Sequence, residues 1–313
     1  MKDVLEKCTV CPRACGVNRN AGVRGRCHEN ATVEISRASL HLWEEPPISG
    51  AGGSGTVFFT GCSLGCVYCQ NHNIADGNNG IPVTPNQLEQ IFLKLQDMGA
   101  NNVNLVTPTH FVPQIAEVLR KVRNEKTLRI PVVYNTSAYE SVDTLKMLDG
   151  LVDIYLPDFK YCESDVAEKY SAAADYPAVA KEAIKEMVRQ VGSPVFYTSP
   201  TGEEDMLKKG VIIRHLVLPG CVSNSKKVLK TISDTFGDDV IVSIMNQYTP
   251  LDLAALKDYP ELCRKVTAEE YDEILDYALE IGMNSAFVQE DEAAAESFIP
   301  NFENFDLEGF LSL

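Results

Sequence analysis

The sequence "TVFFTGCSLGCVYCQN" (residues 56–71) joins a short apolar run to a loop that carries three cysteines. Cys62, Cys66 and Cys69 are spaced C-x3-C-x2-C, and no fourth cysteine follows them nearby. The run "TVFFT" (56–60) is continuous and apolar, as a buried strand requires. We therefore expect the three thiols to lie together at the carboxyl end of a strand.

The same alternation of an apolar run and a helical pattern continues along the chain. Strands are predicted at 56–60, 102–107, 131–136, 151–157, 211–218 and 240–245. Helices are predicted at 85–98, 112–124, 140–149, 163–191, 223–236 and 267–282. Such repeats favour parallel strands joined by right-handed crossovers. Because a closed barrel usually needs eight repeats, we predict an α/β fold with an open, partial (β/α)6 barrel.

Active-site loops of such folds lie at the carboxyl ends of the strands. The cysteine loop follows the first predicted strand and therefore belongs to this edge. The segments that follow the next strands are "TPTH" (107–110), "NTSAYE" (135–140), "PDFK" (157–160) and "PG" (219–220). We expect these polar segments to surround the three thiols.

Composition limits the classes of function. The chain has 313 residues, 45% of them hydrophobic, and a formal net charge of −16. This charge argues against binding to nucleic acid or to an anionic membrane, since both need a positive face. No apolar run is long enough to cross a membrane, and the N-terminus lacks the pattern of a secretion signal. A cytoplasmic location is expected.

Because the cytoplasm keeps thiols reduced, metal binding is the first hypothesis for the ten cysteines. Zinc in a structural site takes four protein ligands, whereas an iron–sulfur cluster takes one thiolate for each iron. Three thiolates on a four-iron cluster would leave one iron open to a substrate. A non-catalytic iron–sulfur or zinc protein is the alternative, and such a carrier would normally give every iron a protein ligand.

Several motifs resemble radical S-adenosylmethionine (SAM) enzymes. The cysteine spacing with Tyr68 at the aromatic position is the signature of that superfamily. A narrower resemblance, to an uncharacterised branch of homologues of the pyruvate formate-lyase activating enzyme, is carried by "GCSLGCVYCQN" (61–71), "TPTHFVPQI" (107–115), "VVYNTSAYE" (132–140), "DIYLPDFKY" (153–161) and "IIRHLVLPG" (212–220). It spans roughly residues 8 to 290.

This resemblance implies a mechanism. A [4Fe-4S] cluster on Cys62, Cys66 and Cys69 would bind SAM and reduce it, releasing a 5′-deoxyadenosyl radical that abstracts hydrogen. The process would be anaerobic and would need a reductant such as flavodoxin or ferredoxin. The implied substrate is a protein or peptide, as in activation of a glycyl-radical enzyme, and a small metabolite is the alternative.

The resemblance also implies which residues contact SAM. Activating enzymes carry an Asp where this chain has Asn135, and Ser137 lies in the same segment. They also carry a "D-x-K" motif, and an Arg in the fifth strand, which implies a set of SAM contacts at Tyr68, Asn135, Ser137, Asp158, Lys160 and Arg214. Where those enzymes have a "GGE" motif, this chain has "TPTH" (107–110), which makes Thr109 and His110 further candidates.

A second group of cysteines lies near the N-terminus. Cys8, Cys11, Cys15 and Cys27 fall within twenty residues that also contain Pro and Gly, which permit tight turns. Four thiols complete the coordination of either zinc or an auxiliary [4Fe-4S] cluster, and the spacing does not choose between them. The predicted organisation is a four-Cys metal-binding segment at 1–50, a radical SAM partial barrel at 51–290 and an acidic, aromatic C-terminal extension at 291–313. The phenylalanines of this extension are expected to pack along the barrel.

Overall fold

The structure is a computed structural model that describes residues 4–198, 205–251, 254–283, 286–288, 302 and 305–312. Its strands are β1 (Val33–His41), β2 (Ser54–Phe59), β3 (Ile81–Val83), β4 (Val103–Val106), β5 (Val132–Thr136), β6 (Ile154–Pro157), β7 (Val195–Thr198), β8 (Asp205–Leu216), β9 (Ile241–Met245) and β10 (Ala286–Val288). Its α-helices are α1 (Pro46–Ser49), α2 (His72–Ala75), α3 (Pro85–Asp97), α4 (Val112–Glu125), α5 (Val142–Leu145), α6 (Ser164–Ser171), α7 (Tyr176–Val191), α8 (Val222–Phe236), α9 (Ala268–Glu280) and α10 (Leu307–Ser312). Among the described residues, no helix is long and apolar enough to cross a bilayer.

One open sheet organises the chain, in the order β10-β9-β8-β6-β5-β4-β2-β1-β3, with β7 paired to β8. The strands from β10 to β2 are parallel, while β1 and β3 are antiparallel to their neighbours. The six predicted strands are present as β2, β4, β5, β6, β8 and β9. The prediction of an α/β fold with a mostly parallel, open sheet is confirmed.

The sheet is wider than the sequence predicted. β1 and β3 extend it beyond β2, and the short β10 adds a further parallel strand beside β9. β1 was missed because its alternation of apolar and polar residues belongs to an antiparallel strand, whereas the prediction used continuous apolar runs. The proposed division at residue 50 leaves β1 on the N-terminal side, although β1 pairs with β2 along most of its length.

Two of the predicted helices differ in the structure. The single helix predicted at 163–191 is two helices, α6 and α7, because Ala172 adopts a left-handed conformation (φ 46°) after α6. Pro177, in the first turn of α7, was a sequence signal for this break. The helix predicted at 140–149 is one α-turn followed by the 3-10 turn Lys146–Leu148.

Alternate side chains on the parallel strands point to the two faces of the sheet. On β5, Val132 and Tyr134 pack in the large core beneath the helices, whereas Val133 packs in a small apolar cluster on the opposite face. Asn135, further along the same strand, belongs to the second face and reaches a cavity at the carboxyl edge. This second face of the sheet is therefore apolar at the base of the strands and polar at their carboxyl edge.

Part of the C-terminal extension packs on the barrel as predicted. Phe302 is buried and meets Phe58 edge to face, with ring centroids 5.1 Å apart. Phe305 and Phe310 pack against the main core, and α10 contacts α3. Phe298, a further aromatic residue of the extension, lies outside the described residues.

Candidate active site

One cavity lies at the carboxyl edge of the parallel strands and has a volume of about 250 Å³. Cys62, Cys66 and Cys69 all line it. The structure places six of the other predicted site residues on its walls: Tyr68, Asn135, Ser137, Asp158, Lys160 and Arg214. Residues far apart in the sequence thus meet around three thiols.

The loop that carries the thiols, here called the cysteine loop (residues 61–71), begins at a glycine. Gly61 has a φ of 77°, and a Cβ there would come within 2.4 Å of the Cys27 carbonyl oxygen. Only glycine allows the chain to leave β2 at this angle and to pass this close to the N-terminal segment. The Gly61 amide then donates to the Ile74 carbonyl, at 2.8 Å, which ties the start of the loop to α2, the helix that follows it.

The three thiols line the cavity together and are half-buried. Burial raises the pKa of the Cys69 thiol to about 12, and the neighbouring Cys62 and Cys66 raise it further. Burial also raises the pKa of Cys66, although Lys160 opposes this rise. Three thiolates would repel one another here unless a metal centre accepted their charge. The donor set therefore fits a metal site better than three free thiols.

A chain of hydroxyl groups supports Cys66. Ser171 donates to the Cys66 sulfur at 3.1 Å, Tyr161 and Ser171 share a hydrogen bond of 2.9 Å, and Tyr68 and Tyr161 share one of 2.7 Å. Hydrogen bonds of this kind fix the orientation of a metal ligand. Tyr68 was predicted from the sequence, whereas Tyr161, the last residue of "DIYLPDFKY", and Ser171 were given no role there and were missed.

Asp158 joins the two predicted cations of the site. Its Oδ2 accepts from Lys160 Nζ at 2.7 Å, and its Oδ1 accepts from Arg214 Nε at 2.8 Å. Burial opposes ionisation of Asp158, but Arg214 and Lys160 outweigh it and hold the pKa below its ordinary value. Asp158 is therefore a carboxylate at neutral pH, and it fixes both cations at the wall of the cavity.

Glu44 is a further site residue that sequence analysis missed. Its Oε1 accepts from Arg214 Nη1 at 2.9 Å, and its Oε2 accepts from Asn104 at 2.7 Å and from Asn135 at 3.1 Å. Arg214 Nη2 in turn donates to Asn135 Oδ1 at 2.8 Å. The loop after β1 thus supplies the carboxylate that holds Arg214 and Asn135. No sequence pattern around Glu44 indicates this role.

Thr109 and His110 lie behind the cavity wall. Thr109 donates to Glu140 at 2.6 Å, and buried His110 bonds through Nε2 to the Thr60 carbonyl at 2.7 Å. Burial lowers the pKa of His110 to about 3, so the ring is neutral. The residue of "TPTH" that lines the cavity is Thr107, which has a φ of 56°. A turn at Thr107 directs the next residues away from the site, which the spacing alone did not indicate.

Glu140 is a buried carboxyl group close to this wall. Burial raises its pKa to about 7, although hydrogen bonds from Thr109, Thr136 and Tyr134 oppose the rise. The native state therefore keeps a proton that the unfolded chain releases. The stability from this protonated form is fully present below the ordinary pKa of 4.5 and is lost as pH rises through about 7.

We expect Glu140→Gln to reduce the loss of stability between pH 5 and pH 8 by about 1–3 kcal/mol, because the amide does not titrate. Glu29 and Glu45 also have pKa values that burial raises to about 7, so the variant should keep part of the slope. The measurement is urea unfolding across this pH range, with Glu182→Gln on the surface as the control. An unchanged slope in Glu140→Gln would contradict the prediction.

The N-terminal cysteines lie beside the cysteine loop. Cys8, Cys11 and Cys27 are buried and Cys15 is exposed. Within the part of the chain that the structure describes, no group of three or more His, Cys, Asp or Glu side chains is arranged so that it could hold a single metal ion. The case for a metal at either set of thiols therefore rests on donor chemistry and on the surroundings of the sulfur atoms.

Comparison with known proteins identifies the family. The model of the radical SAM superfamily matches residues 56–209. An uncharacterized protein of Methanocaldococcus jannaschii is 32% identical over 289 residues, which cover 88% of this chain and 75% of that protein. The chain belongs to the radical SAM superfamily, and this membership implies an enzyme with a [4Fe-4S] cluster and SAM.

Solved structures with a similar fold are more distant. SuiB of Streptococcus suis, bound to its precursor peptide SuiA, is 15% identical with a TM-score of 0.49, over 79% of this chain and 51% of SuiB. Methylornithine synthase (PylB) is 14% identical with a TM-score of 0.48, over 72% of this chain and 60% of that enzyme. This chain spans about half the length of SuiB.

Proposed function

We propose that this protein is a radical SAM enzyme that modifies a polypeptide, and that its target is a glycine, as in the activation of glycyl-radical enzymes. The observation that carries the proposal is the cavity in which Cys62, Cys66 and Cys69 face Lys160 and Asp158. Three thiols are the ligand number that leaves one iron of a four-iron cluster open. Family membership supports the cluster and SAM, and the substrate class is our inference.

A [4Fe-4S] cluster on the three thiolates would supply the electron that cleaves SAM and yields the 5′-deoxyadenosyl radical. The chain's own residues would position the cofactor. Lys160 lines the cavity beside the thiols and opposes the rise that burial causes in the pKa of Cys66, so it offers a cation for the carboxylate of SAM. Asn135, Ser137 and Tyr68 line the same walls and would supply neutral polar contacts.

Arg214 has a supporting role in this proposal. Its guanidinium donates to Asp158, Glu44 and Asn135, so it organises the wall of the cavity. Thr107 lies at the wall where the resemblance had suggested Thr109 and His110, and we assign the contact at that position to Thr107. An external one-electron donor such as flavodoxin or ferredoxin would reduce the cluster.

Two features support a polypeptide substrate. The cavity has a volume of about 250 Å³, which the cluster and SAM would take up between them. The target group must then enter from outside, and a flexible loop of a protein can do so. At the rim, Trp43 lines the cavity with 64% of its surface exposed, and Leu42 beside it is 54% exposed. Exposed aromatic residues of this kind are common at protein–protein contacts.

The experiment is to incubate reduced enzyme and SAM anaerobically with size-fractionated lysate from the same organism. We expect the protein fraction to stimulate release of 5′-deoxyadenosine and to develop a doublet organic radical, the sign of a glycyl radical. Protease treatment of that fraction should remove the stimulation. Stimulation confined to the small-molecule fraction would instead establish the alternative, an enzyme that acts on a metabolite.

A further inference from the structure

Residues 4–31, here called the N-terminal segment, carry positive charge in an acidic chain. The segment contains five Lys and Arg residues against two Glu, whereas the whole chain has 28 Lys and Arg against 44 Asp and Glu. Every residue from 20 to 24 is exposed, and so are Lys7 and Arg26. Val23 adds an apolar side chain that is 47% exposed. The segment therefore presents several cations and one apolar group to solvent.

Three cations of the segment that are at least partly exposed have no acidic partner. Arg24 forms ion pairs with two carboxylates. Among the residues that the structure describes, no carboxylate forms an ion pair with the other three, which are Lys7, Arg13 and Arg26. The guanidinium of Arg13 binds backbone carbonyls and lies 5.1 Å from the centre of the Tyr139 ring, and neither contact neutralises its charge.

Two of these unpaired cations contact the cysteine loop. Arg13 donates through Nε and Nη2 to the backbone carbonyls of residues 63 and 64, at 2.9 and 3.0 Å. Arg26 Nη2 lies 3.4 Å from the position that a Cβ on Gly65 would take. Residues 63–65 join the first two ligands of the proposed cluster. Neither arginine lines the cavity, so both contact the loop from outside it.

Lys7 extends the same surface away from the loop. Its Cγ lies 3.9 Å from the position of a Cβ on Gly16. The sulfur of the neighbouring Cys15 lies 3.1 Å from the position of a Cβ on Gly25, the residue before Arg26. These contacts place the cations on one continuous surface that borders the cysteine loop. It is here called the basic patch and consists of Lys7, Arg13, Arg24 and Arg26.

We propose that the basic patch is the docking surface for the protein that reduces the cluster, an acidic one-electron carrier such as flavodoxin. The inference rests on the proposed function, because only a chain with a redox cluster needs such a donor. One electron moves from the carrier to the cluster. The carrier is oxidised by one electron, the cluster is reduced by one, and no covalent bond forms or breaks in that step.

The position of the patch suits an electron donor. SAM and the substrate both need the open mouth of the cavity, where Trp43 lies at the rim. A carrier on the patch would approach the cysteine loop from outside, beside the link between Cys62 and Cys66. It would therefore reach the cluster ligands without competing with SAM or with the substrate.

The charges indicate the kind of partner. Unpaired cations attract an acidic protein and raise its rate of encounter by roughly 10–1,000-fold, while the rest of a chain with a net charge of −16 repels it. Encounters between redox proteins also bury small interfaces, and one exposed apolar residue among cations suits that type. A second group of lysines, on α8, does not compete, because each of its members pairs with a carboxylate: Lys226, Lys227 and Lys230.

The experiment compares two reductants, reduced flavodoxin and dithionite, in SAM cleavage by the anaerobically reconstituted chain. Dithionite is small and needs no docking surface, so its rate measures the cluster and SAM binding alone. In Lys7→Glu and in Arg26→Gln, we expect the rate with flavodoxin to fall about tenfold relative to the rate with dithionite. Lys208→Glu is the matched control, at an exposed lysine in the amino-terminal half of β8, and it should keep the ratio of the unaltered chain.

A binding measurement gives a readout that does not depend on turnover. In isothermal titration calorimetry with oxidised flavodoxin, the dissociation constant should rise steeply between about 0.05 and 0.5 M salt, because salt screens the attraction. Lys7→Glu should weaken binding about tenfold at low salt and should reduce this salt dependence. Equal affinity of Lys7→Glu and Lys208→Glu for flavodoxin would overturn the proposal.

Arg26 contacts the cysteine loop, so its variant could also disturb the cluster. An equal loss of rate with both reductants in Arg26→Gln, together with an unchanged ratio in Lys7→Glu, would show that the patch supports the loop and is not a docking surface. A different result would count against the proposed function: no cleavage of SAM by the unaltered chain with dithionite. Calorimetry with flavodoxin would still test the docking surface in that case.

Discussion

Replacement of Cys62, Cys66 or Cys69 by Ala is expected to abolish assembly of the [4Fe-4S] cluster, and this is the largest effect that we predict. Each thiol is one of three ligands in a shared cavity, and two thiolates would leave a second iron without a protein ligand. Iron and sulfide should therefore fall from about four each per chain to near zero after anaerobic reconstitution.

Two isolated cysteines provide the controls. Cys162→Ala and Cys263→Ala remove thiols that do not line the cavity, and they should keep the full content of iron and sulfide. Retention of about four irons by the Cys62/Cys66/Cys69→Ala protein would place the cluster on other ligands and would contradict the account.

Replacement of Arg214 by Met should lower the free energy of unfolding by about 3–5 kcal/mol, the usual result of removing one partner from a buried ion pair. Arg214 holds two carboxylates, Asp158 and Glu44, in a region where its own side chain is only 12% exposed. Met keeps the length of the side chain but leaves both carboxylates short of a cation. Urea unfolding at neutral pH is the measurement.

Lys160→Met is the matched comparison, because it also removes one cation from Asp158. Arg214 still contacts Asp158 in that variant, so the loss should be smaller, about 1.5–3 kcal/mol. The pKa of Asp158 adds a second readout. Because both cations hold it below its ordinary value, its stabilisation is present at neutral pH and is lost as pH falls through the folded-state pKa. Arg214→Met should therefore unfold at a higher pH during acid titration than the unaltered chain, and an unchanged acid midpoint would contradict the assigned ion pair.

The elements that were predicted correctly from the sequence are each marked by a pattern within a short stretch of residues. Continuous apolar runs marked the six central strands because strands buried on both faces need apolar residues throughout. Thr84 and Gln87 form the cap that begins α3, and they lie only three residues apart. The cysteine loop was also predicted from a local signal, because its three cysteines lie in one short segment directly after a strand.

The missed parts of the site depend on contacts between distant residues. Glu44 meets partners 60, 91 and 170 residues away, so its role exists only after the sheet has formed. Ser171, at the end of α6, contacts Cys66, which lies 105 residues earlier in the sequence. The conformation of Thr107, with its positive φ, decides that this residue lines the cavity and that Thr109 does not. A β-branched residue rarely adopts a positive φ. The sequence "TPTH" therefore gave no sign that the chain turns at Thr107.

Cleavage of SAM by the reduced protein tests the central claim most directly. Chain reconstituted with iron and sulfide under anaerobic conditions, then treated with dithionite and SAM, should release 5′-deoxyadenosine and methionine in equal amounts. The Cys62/Cys66/Cys69→Ala protein, treated identically, should release neither product. Release of 5′-deoxyadenosine by that variant, or none from unaltered protein that carries its full iron content, would contradict the assignment of this cavity as a radical SAM active site.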